Sequence, residues 1–171
     1  MVEKAMNKEF EELFQELIAR PLGMKNSHFT PVNTDGGHAP MLGGGLCTTL
    51  HDYMRFLDMI YHNGVFEEKQ LLKPETIHEM QANQVGNAEV HTGIYGLGEW
   101  RELIDEATGE AYQISSPGWA GAYPWINKQD RVYGFFIAHV QGSSQKEDGF
   151  SSFFGSPVIS QTVSNIISLK R

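Results

Sequence analysis

A serine beside Pro-Gly, in the stretch SSPGWAGAYPWI at residues 115–126, is the first candidate for chemistry in this sequence. A serine nucleophile needs a general base within hydrogen-bond reach and donors aimed at the developing oxyanion. The sequence places no base next to Ser116 and contains no G-x-S-x-G nucleophile elbow. We therefore do not expect Ser116 to be the nucleophile. Two interpretations stay open: a wall of an active site, or a Pro-Gly turn at the start of a strand whose aromatic residues fill the core.

The sequence gives little support for metal, thiol or nucleotide chemistry. The candidate ligands are His28, His38, His51, His62, His78, His91 and His139. They form no H-E-x-x-H or other close pair, so we expect no metal site. Cys47 precedes a predicted helix, but a small buried residue is the favoured interpretation over a reactive thiol. Neither G-x-G-x-x-G nor G-x-x-x-x-G-K occurs, so no nucleotide cofactor is expected.

Composition predicts one domain over residues 1–171, because 171 residues with 40% hydrophobic content are enough to build a core. The net charge of −8 and the lack of a basic run argue against nucleic acid as a partner. No apolar stretch reaches the roughly 18 residues of a membrane span. The first residues resemble an amphipathic helix rather than a signal peptide, and nothing indicates a compartment. A single cysteine excludes an internal disulfide.

The elements that must position any site begin with helices. Apolar residues at helical spacing predict a helix from Glu3 to Arg20 that ends at Pro21 and Gly23. Residues 25–45 are rich in Gly and Pro and predict a long connection. Thr49, with Asp52 three positions later, resembles a capping box that opens a helix ending at Gly64. A shorter helix is predicted to begin at Pro74.

Strands follow from about residue 93. YGLGEWRELI and EAYQIS flank the turn-like DEATG, and AYPWI and RVYGFFIAHV flank NKQD, which predicts two consecutive antiparallel hairpins in one sheet. The apolar run Val132 to Val140 predicts a central strand covered on both faces. GSSQKEDG is a polar loop, and Ser156-Pro157 are expected to open a final helix. The order of helices, strands and one last helix predicts an α+β fold.

Five stretches, in this order, resemble the serine beta-lactamase and penicillin-binding-protein-like superfamily, particularly its esterase and D-alanyl carboxypeptidase-like branch. They are EKAMNKEFEELFQELIARPLGM, GGGLCTTLHDYMRFLDMIYHNG, LLKPETIHEM, YGLGEW and SPGWAGAYPWI. The resemblance covers nearly the whole chain and corresponds to roughly the C-terminal half of a family member. It implies an antiparallel sheet with flanking helices, the C-terminal portion of a beta-lactamase/transpeptidase-like fold.

Such enzymes use three elements: Ser-x-x-Lys, then Tyr-x-Asn or Ser-x-Asn, then Lys-Thr-Gly or His-x-Gly on a strand beside the nucleophile. In the family the first two precede the segment that resembles EKAMNKEFEEL, so we expect them upstream of Met1. Three local matches, at residues 143–146, 61–63 and 91–93, do not replace them. The first, from Ser143 to Lys146, lies in a polar loop, the second is a helix end before Gly64, and the third is read as a loop before YGLGEW.

By order, Ser116-Pro117-Gly118 occupies the position of the third element, with a hydroxyl where the family has an imidazole or ammonium group. The resemblance implies that Gly118 lets a substrate approach closely. It also implies that the Trp119 N–H is the second oxyanion donor. The expected function is the C-terminal part of a serine hydrolase acting on a small ester, beta-lactam or D-Ala-D-Ala-like acyl substrate. The alternative is a non-catalytic binding or scaffold domain derived from that fold. Self-association through an unpaired strand edge is expected.

Overall fold

The protein is described by a computed structural model for residues 1–29, 40–86, 94–118, 121–137 and 152–170, with only the backbone given for 152–156. The chain divides into two compact units, Met1–Phe56 and Leu57–Arg171. The expectation of a single domain stays a prediction.

The first unit begins with helical segments that the sequence predicted as one helix. They are α1 (Val2–Met6), α2 (Phe10–Phe14), a π-helical turn (Gln15–Ala19) and α3 (Arg20–Leu22). The prediction of a continuous helix was wrong, because Asn7 adopts a left-handed conformation (φ 51°) and ends α1. The chain re-enters the helix at Phe10, whose N–H donates to Glu3 Oε1 at 2.9 Å. The predicted end at Gly23, also left-handed (φ 66°), is confirmed, whereas Pro21 lies within α3 and does not end the helix.

A buried carboxylate organises the rest of this unit. Strands β1 (His28–Phe29) and β2 (Leu46–Cys47) pair antiparallel, and α4 (Leu50–Tyr61) begins in this unit, which ends at Phe56. Asp52, only 2% exposed, accepts from the Asn26 N–H at 2.6 Å and from the Ser27 hydroxyl at 3.0 Å. Thr49 Oγ1 accepts from the Asp52 N–H at 3.2 Å, so this part of the predicted capping box is confirmed. Through its two hydrogen bonds, the Asp52 carboxylate joins residues 26–27 to α4.

The second unit contains a hairpin and a helix ahead of its main sheet. β3 (Val65–Phe66) and β4 (Lys69–Gln70) form an antiparallel pair that the sequence did not predict. α5 (Pro74–Gln81) begins at Pro74 as predicted and buries Ile77. The main core of the unit lies around the sheet that follows, with Tyr123 and Ile126 almost inaccessible to solvent.

The sheet has four antiparallel strands in the order β5-β6-β7-β8. They are β5 (Trp100–Ile104), β6 (Ala111–Ser115), β7 (Ala122–Asn127) and β8 (Val132–Ile137). The two predicted hairpins and the α+β class are confirmed. Two details were wrong: residues 95–99 form a turn rather than the start of β5, and β8 lies at one end of the described sheet rather than at its centre.

Helix α6 (Ser152–Ser168) packs on β7 and β8. It begins four residues before the predicted start, so Pro157 lies inside it rather than in its first turn. A buried network joins it to the sheet: the Tyr123 hydroxyl donates to Glu102 Oε2 at 2.9 Å and lies 3.0 Å from Ser160 Oγ. Ser115 and Gln113 also donate to the Glu102 carboxylate, at 2.5 and 2.7 Å. The charge-assisted hydrogen bonds to Glu102 join three strands of the sheet, and the contacts of Ser160 with Tyr123 and Gln113 hold the helix against it.

None of the described helices has the length and apolar character needed to cross a lipid bilayer.

Candidate active site

The segment Ser116–Gly118 directly continues β6 and is held by the neighbouring strand. The Ser116 N–H donates to Pro124 O at 3.2 Å, and the Gly118 N–H donates to Ala122 O at 2.7 Å. Both acceptors belong to β7, so the pairing of β6 with β7 extends past Ser115. The segment therefore extends the strand pairing up to Gly118, whose carbonyl oxygen accepts from the Gly121 N–H at 3.0 Å.

The Ser116 side chain is exposed and donates its hydroxyl to Gly98 O at 3.2 Å. A carbonyl oxygen accepts a hydrogen bond but does not remove the proton, so this contact does not activate the serine. The absence of a base beside Ser116 in the sequence agrees with this contact. That Ser116 forms a wall of the active site and is not the nucleophile stays a prediction.

A side chain at Gly118 would make ordinary contact with Ala122. A Cβ placed there would lie 3.4 Å from Ala122 Cβ and 3.6 Å from Ala122 O, which are ordinary van der Waals distances. Its φ angle also lies outside the left-handed region. Among the described residues, neither backbone conformation nor packing requires glycine at this position. Trp119, the predicted oxyanion donor, lies outside the described residues.

The YGLGEW stretch forms the turn that supplies the carbonyl group facing Ser116. Gly96 N–H donates to Glu99 O at 2.9 Å, and Leu97 N–H donates to Met80 O at 2.8 Å. A Cβ on Gly96 would lie only 2.2 Å from Met80 O, so this glycine allows the turn to dock against α5. The position of Gly98 O, and with it the Ser116 contact, is thus set by the C-terminal end of α5.

Glu99 follows this turn, and it is a titratable group that sequence reasoning missed. Burial raises its pKa to about 7, while the charges of Lys128 and Arg101 act in the opposite direction. Its Oε1 atom is buried without a hydrogen-bond partner in the described part of the chain. Glu99 therefore exchanges a proton near neutral pH. No motif could have revealed it, because its burial and not its spacing sets its pKa.

The remaining residues that the sequence suggested for chemistry have different outcomes. The Tyr61–Asn63 match is a helix end, as predicted: α4 stops at Tyr61, and Asn63 is left-handed with φ 53°. The matches at residues 91–93 and 143–146 lie outside the described residues. Cys47 was predicted to be buried, but it is exposed on β2, so that prediction was wrong. Within the described ranges, no group of three or more His, Cys, Asp or Glu side chains could hold a metal ion.

A family model named Beta-lactamase matches residues 1–150. The chain therefore belongs to the beta-lactamase family, which confirms the resemblance inferred from its motifs. No curated protein matches the chain.

Solved structures agree with this assignment. A Bacteroides dorei DSM 17855 protein assigned to the beta-lactamases is 71% identical, with a TM-score of 0.88 over 97% of this chain and 54% of its own length. A beta-lactamase from Mycobacterium bovis matches at 18% identity and a TM-score of 0.60, over 83% of this chain and 53% of that one. Simvastatin synthase from Aspergillus terreus matches at 17% identity and a TM-score of 0.60, over 82% and 46%. The last two share the fold. The chain spans about half the length of each of these structures.

Proposed function

We propose that this chain supplies the C-terminal half of a serine hydrolase that transfers an acyl group through an acyl-serine intermediate. The substrate would be an ester, a beta-lactam or a D-Ala-D-Ala-like amide. Membership of the beta-lactamase family supports this proposal, and so does coverage of only 54% of the 71% identical relative. The nucleophile and its lysine would come from a segment N-terminal to residue 1, because the one Ser-x-x-Lys match in this sequence lies in the polar stretch 141–149.

The segment from Ser116 to Trp119 would form one wall of the completed site. The observation that carries this assignment is that position 118 is a glycine although neither its backbone conformation nor its described neighbours require one. A substrate backbone could approach there without a side chain in its path, and the Trp119 N–H would donate to the oxyanion. Because Ser116 and Gly118 are hydrogen-bonded to β7, the described part of this wall would be positioned before the substrate binds.

Ser116 also bears on the choice of substrate. A neutral hydroxyl attracts a substrate carboxylate less strongly than the ammonium or imidazolium group expected at this position by resemblance. We therefore expect a neutral ester to be a better substrate than a penicillin, whose carboxylate would meet no cation from Ser116.

The rival function is a binding or scaffold domain without catalysis. This function is favoured because Ser116 stands where the family usually has a lysine or a histidine. It requires that no catalytic serine and lysine accompany the domain, so the two functions make opposite predictions about the DNA upstream of residue 1.

The test begins with that DNA and the protein it encodes. An in-frame Ser-x-x-Lys followed by Tyr-x-Asn or Ser-x-Asn would support the hydrolase, and their absence would favour the binding domain. We expect the extended protein to be labelled by a fluorophosphonate at the new serine, as read by intact mass and peptide mapping. The present chain alone should remain unlabelled. Stoichiometric labelling of Ser116 or Ser143 in the present chain would contradict the proposed roles.

In the extended protein, Gly118→Val should lower kcat/KM for a small ester by obstructing the substrate and displacing the neighbouring amide. Loss of one oxyanion donor typically costs about 10²- to 10³-fold in rate. Ser143→Ala is the matched control and should keep nearly normal activity. Equal activity in the Gly118 variant would mean that the segment is only a turn.

A further inference from the structure

A polar cavity of about 320 Å³ lies within the second unit, between the end of α5 and the β5–β6 and β7–β8 turns. Its walls include His78, Gln81, Arg101, Glu110 and Lys128. This volume is at the lower end of the range for small-molecule sites. The cavity is therefore large enough for a small organic molecule.

The cavity is separate from the candidate active site. Ala111, the first residue of β6, lines it, whereas Ser116 follows the last residue of that strand. Five strand residues span roughly 17 Å at about 3.4 Å per residue. Lys128 likewise follows the end of β7, whereas Ala122, the partner of Gly118, begins it. The two sites thus lie at opposite ends of the same pair of strands.

Gln81 gives the cavity an unused hydrogen-bond donor. Its Oε1 accepts from Lys128 Nζ at 2.8 Å, which orients the amide group. Its Nε2 is buried without a hydrogen-bond partner among the described residues, and the whole residue is only 9% exposed. A buried N–H group without a partner is unfavourable, so an acceptor bound in the cavity would remove that penalty.

Two cations face the same space. Arg101, 5% exposed, is held by a hydrogen bond from its Nε to Gln81 O at 2.9 Å, and its Nη2 donates to Gly109 O. Its position is thus fixed by the backbone. The Lys128 ammonium group has three N–H donors, and Gln81 Oε1 accepts from one of them.

The charges on the walls limit the type of ligand. Arg101 and Lys128 are basic and Glu110 is acidic, and burial lowers the pKa of Lys128 while the neighbouring Glu99 and Glu110 carboxyl groups act in the opposite direction. The local excess of positive charge is therefore small. It favours a monoanion over a dianion, which Glu110 would repel.

We propose that this cavity binds a small monocarboxylate, with the carboxylate group accepting hydrogen bonds from Lys128 Nζ and Gln81 Nε2. Arg101 adds a fixed positive charge to the wall. Glu110 limits the total negative charge that the site accepts, so inorganic phosphate in its dianionic form binds more weakly. The site is independent of acyl transfer and does not require the nucleophile or Trp119.

The experiment is a titration of the ¹⁵N-labelled chain with lactate, followed by NMR, with inorganic phosphate and choline titrated in parallel at constant ionic strength. We expect saturable shifts of the Gln81 side-chain amide and of Gly109, with a dissociation constant of about 0.1–10 mM. Phosphate should bind more weakly, and choline should produce no saturable shift. Absence of saturable lactate shifts up to 50 mM, or tighter binding of phosphate than of lactate, would overturn the proposal.

Variants separate the site from a general effect of charge. Lys128→Gln should weaken lactate binding by about tenfold, because a charged hydrogen bond is lost. Glu110→Gln should strengthen it, since a repulsive charge is removed. Lys69→Gln, at an exposed position on β4, removes the same charge elsewhere and should leave binding unchanged. If the Lys69 and Lys128 variants weaken binding equally, or if Glu110→Gln does not strengthen it, the assignment is wrong. A thermal unfolding curve for each variant checks that the fold is intact.

Discussion

Two glycines in the second unit predict opposite outcomes for the same substitution. Gly134, on β8, lies opposite Trp125 of β7. A Cβ on Gly134 would lie 2.4 Å from Trp125 Cη2 and 2.5 Å from Cζ2. Carbon atoms normally approach to about 3.5–4.0 Å. The Gly134→Ala variant therefore needs a displacement of roughly 1 Å, whereas Gly118→Ala needs almost none.

The surroundings of Trp125 decide how much this displacement costs. Trp125 is 6% exposed, and its ring stacks on that of Tyr123, with ring centroids 5.5 Å apart; Tyr123 is completely buried. Overpacking of such a site typically costs about 1–3 kcal/mol. Replacing glycine by alanine also restricts the unfolded chain and recovers about 0.4–1 kcal/mol. We expect Gly134→Ala to destabilise the fold by about 2 kcal/mol, and Gly118→Ala to be neutral or stabilising by up to about 1 kcal/mol.

The assay is urea unfolding of both variants and the parent chain, followed by far-ultraviolet circular dichroism. The comparison uses the change in free energy of unfolding. If Gly134→Ala costs no more than Gly118→Ala, the close approach to Trp125 does not limit packing. If Gly118→Ala is as damaging as Gly134→Ala, then Gly118 has a structural role, which would contradict its proposed role beside the substrate.

Two further predictions concern stability. Tyr123→Phe should reduce the free energy of unfolding by about 1.5–2 kcal/mol, because the Glu102 carboxylate and Ser160 each lose a buried partner. Tyr112→Phe on β6 is the half-buried control, and equal losses would contradict a special role for the network. Glu99→Gln should stabilise the protein above pH 7, by at most about 3 kcal/mol, because burial raises the pKa of Glu99 from 4.5 to about 7 and so disfavours the ionised form. This advantage should shrink as the pH falls from 7 towards 4.5 and disappear below it, where Glu99 is protonated in both states. Unfolding curves between pH 4 and 8 measure the difference, and a constant value across that range would refute the assignment.

Much of the second unit follows from local sequence. The four strands of the sheet were predicted because apolar runs flank short turn sequences, and Asp105 illustrates the chemistry: its Oδ1 accepts from the N–H groups of Ala107 and Thr108. Pro74 and Gly23 likewise marked a helix start and a helix end correctly. These features depend on a few neighbouring residues, so they are readable without the fold.

The sequence did not predict other features, because the local patterns that usually mark them are missing. The β3–β4 hairpin turns at Glu67 and Glu68, both with positive φ (46° and 67°), the pattern of a type I′ turn. Asn-Gly is the sequence normally expected at such a turn, so the two glutamates did not predict one. The break at Asn7 and the early start of α6 were missed for a similar reason, since helical spacing alone does not report where a helix is interrupted.

The sequence by itself determined the family, the strand pairs and the position of Ser116-Pro117-Gly118 in the order of motifs. Only the tertiary structure decided that Glu99 titrates near pH 7 and that Gln81, Arg101 and Lys128 enclose one cavity. These residues are far apart along the chain, and their types occur on the surface of most proteins. Burial, charge proximity and unpaired hydrogen-bond donors arise when distant segments pack together, so they are properties of the fold and not of any local pattern.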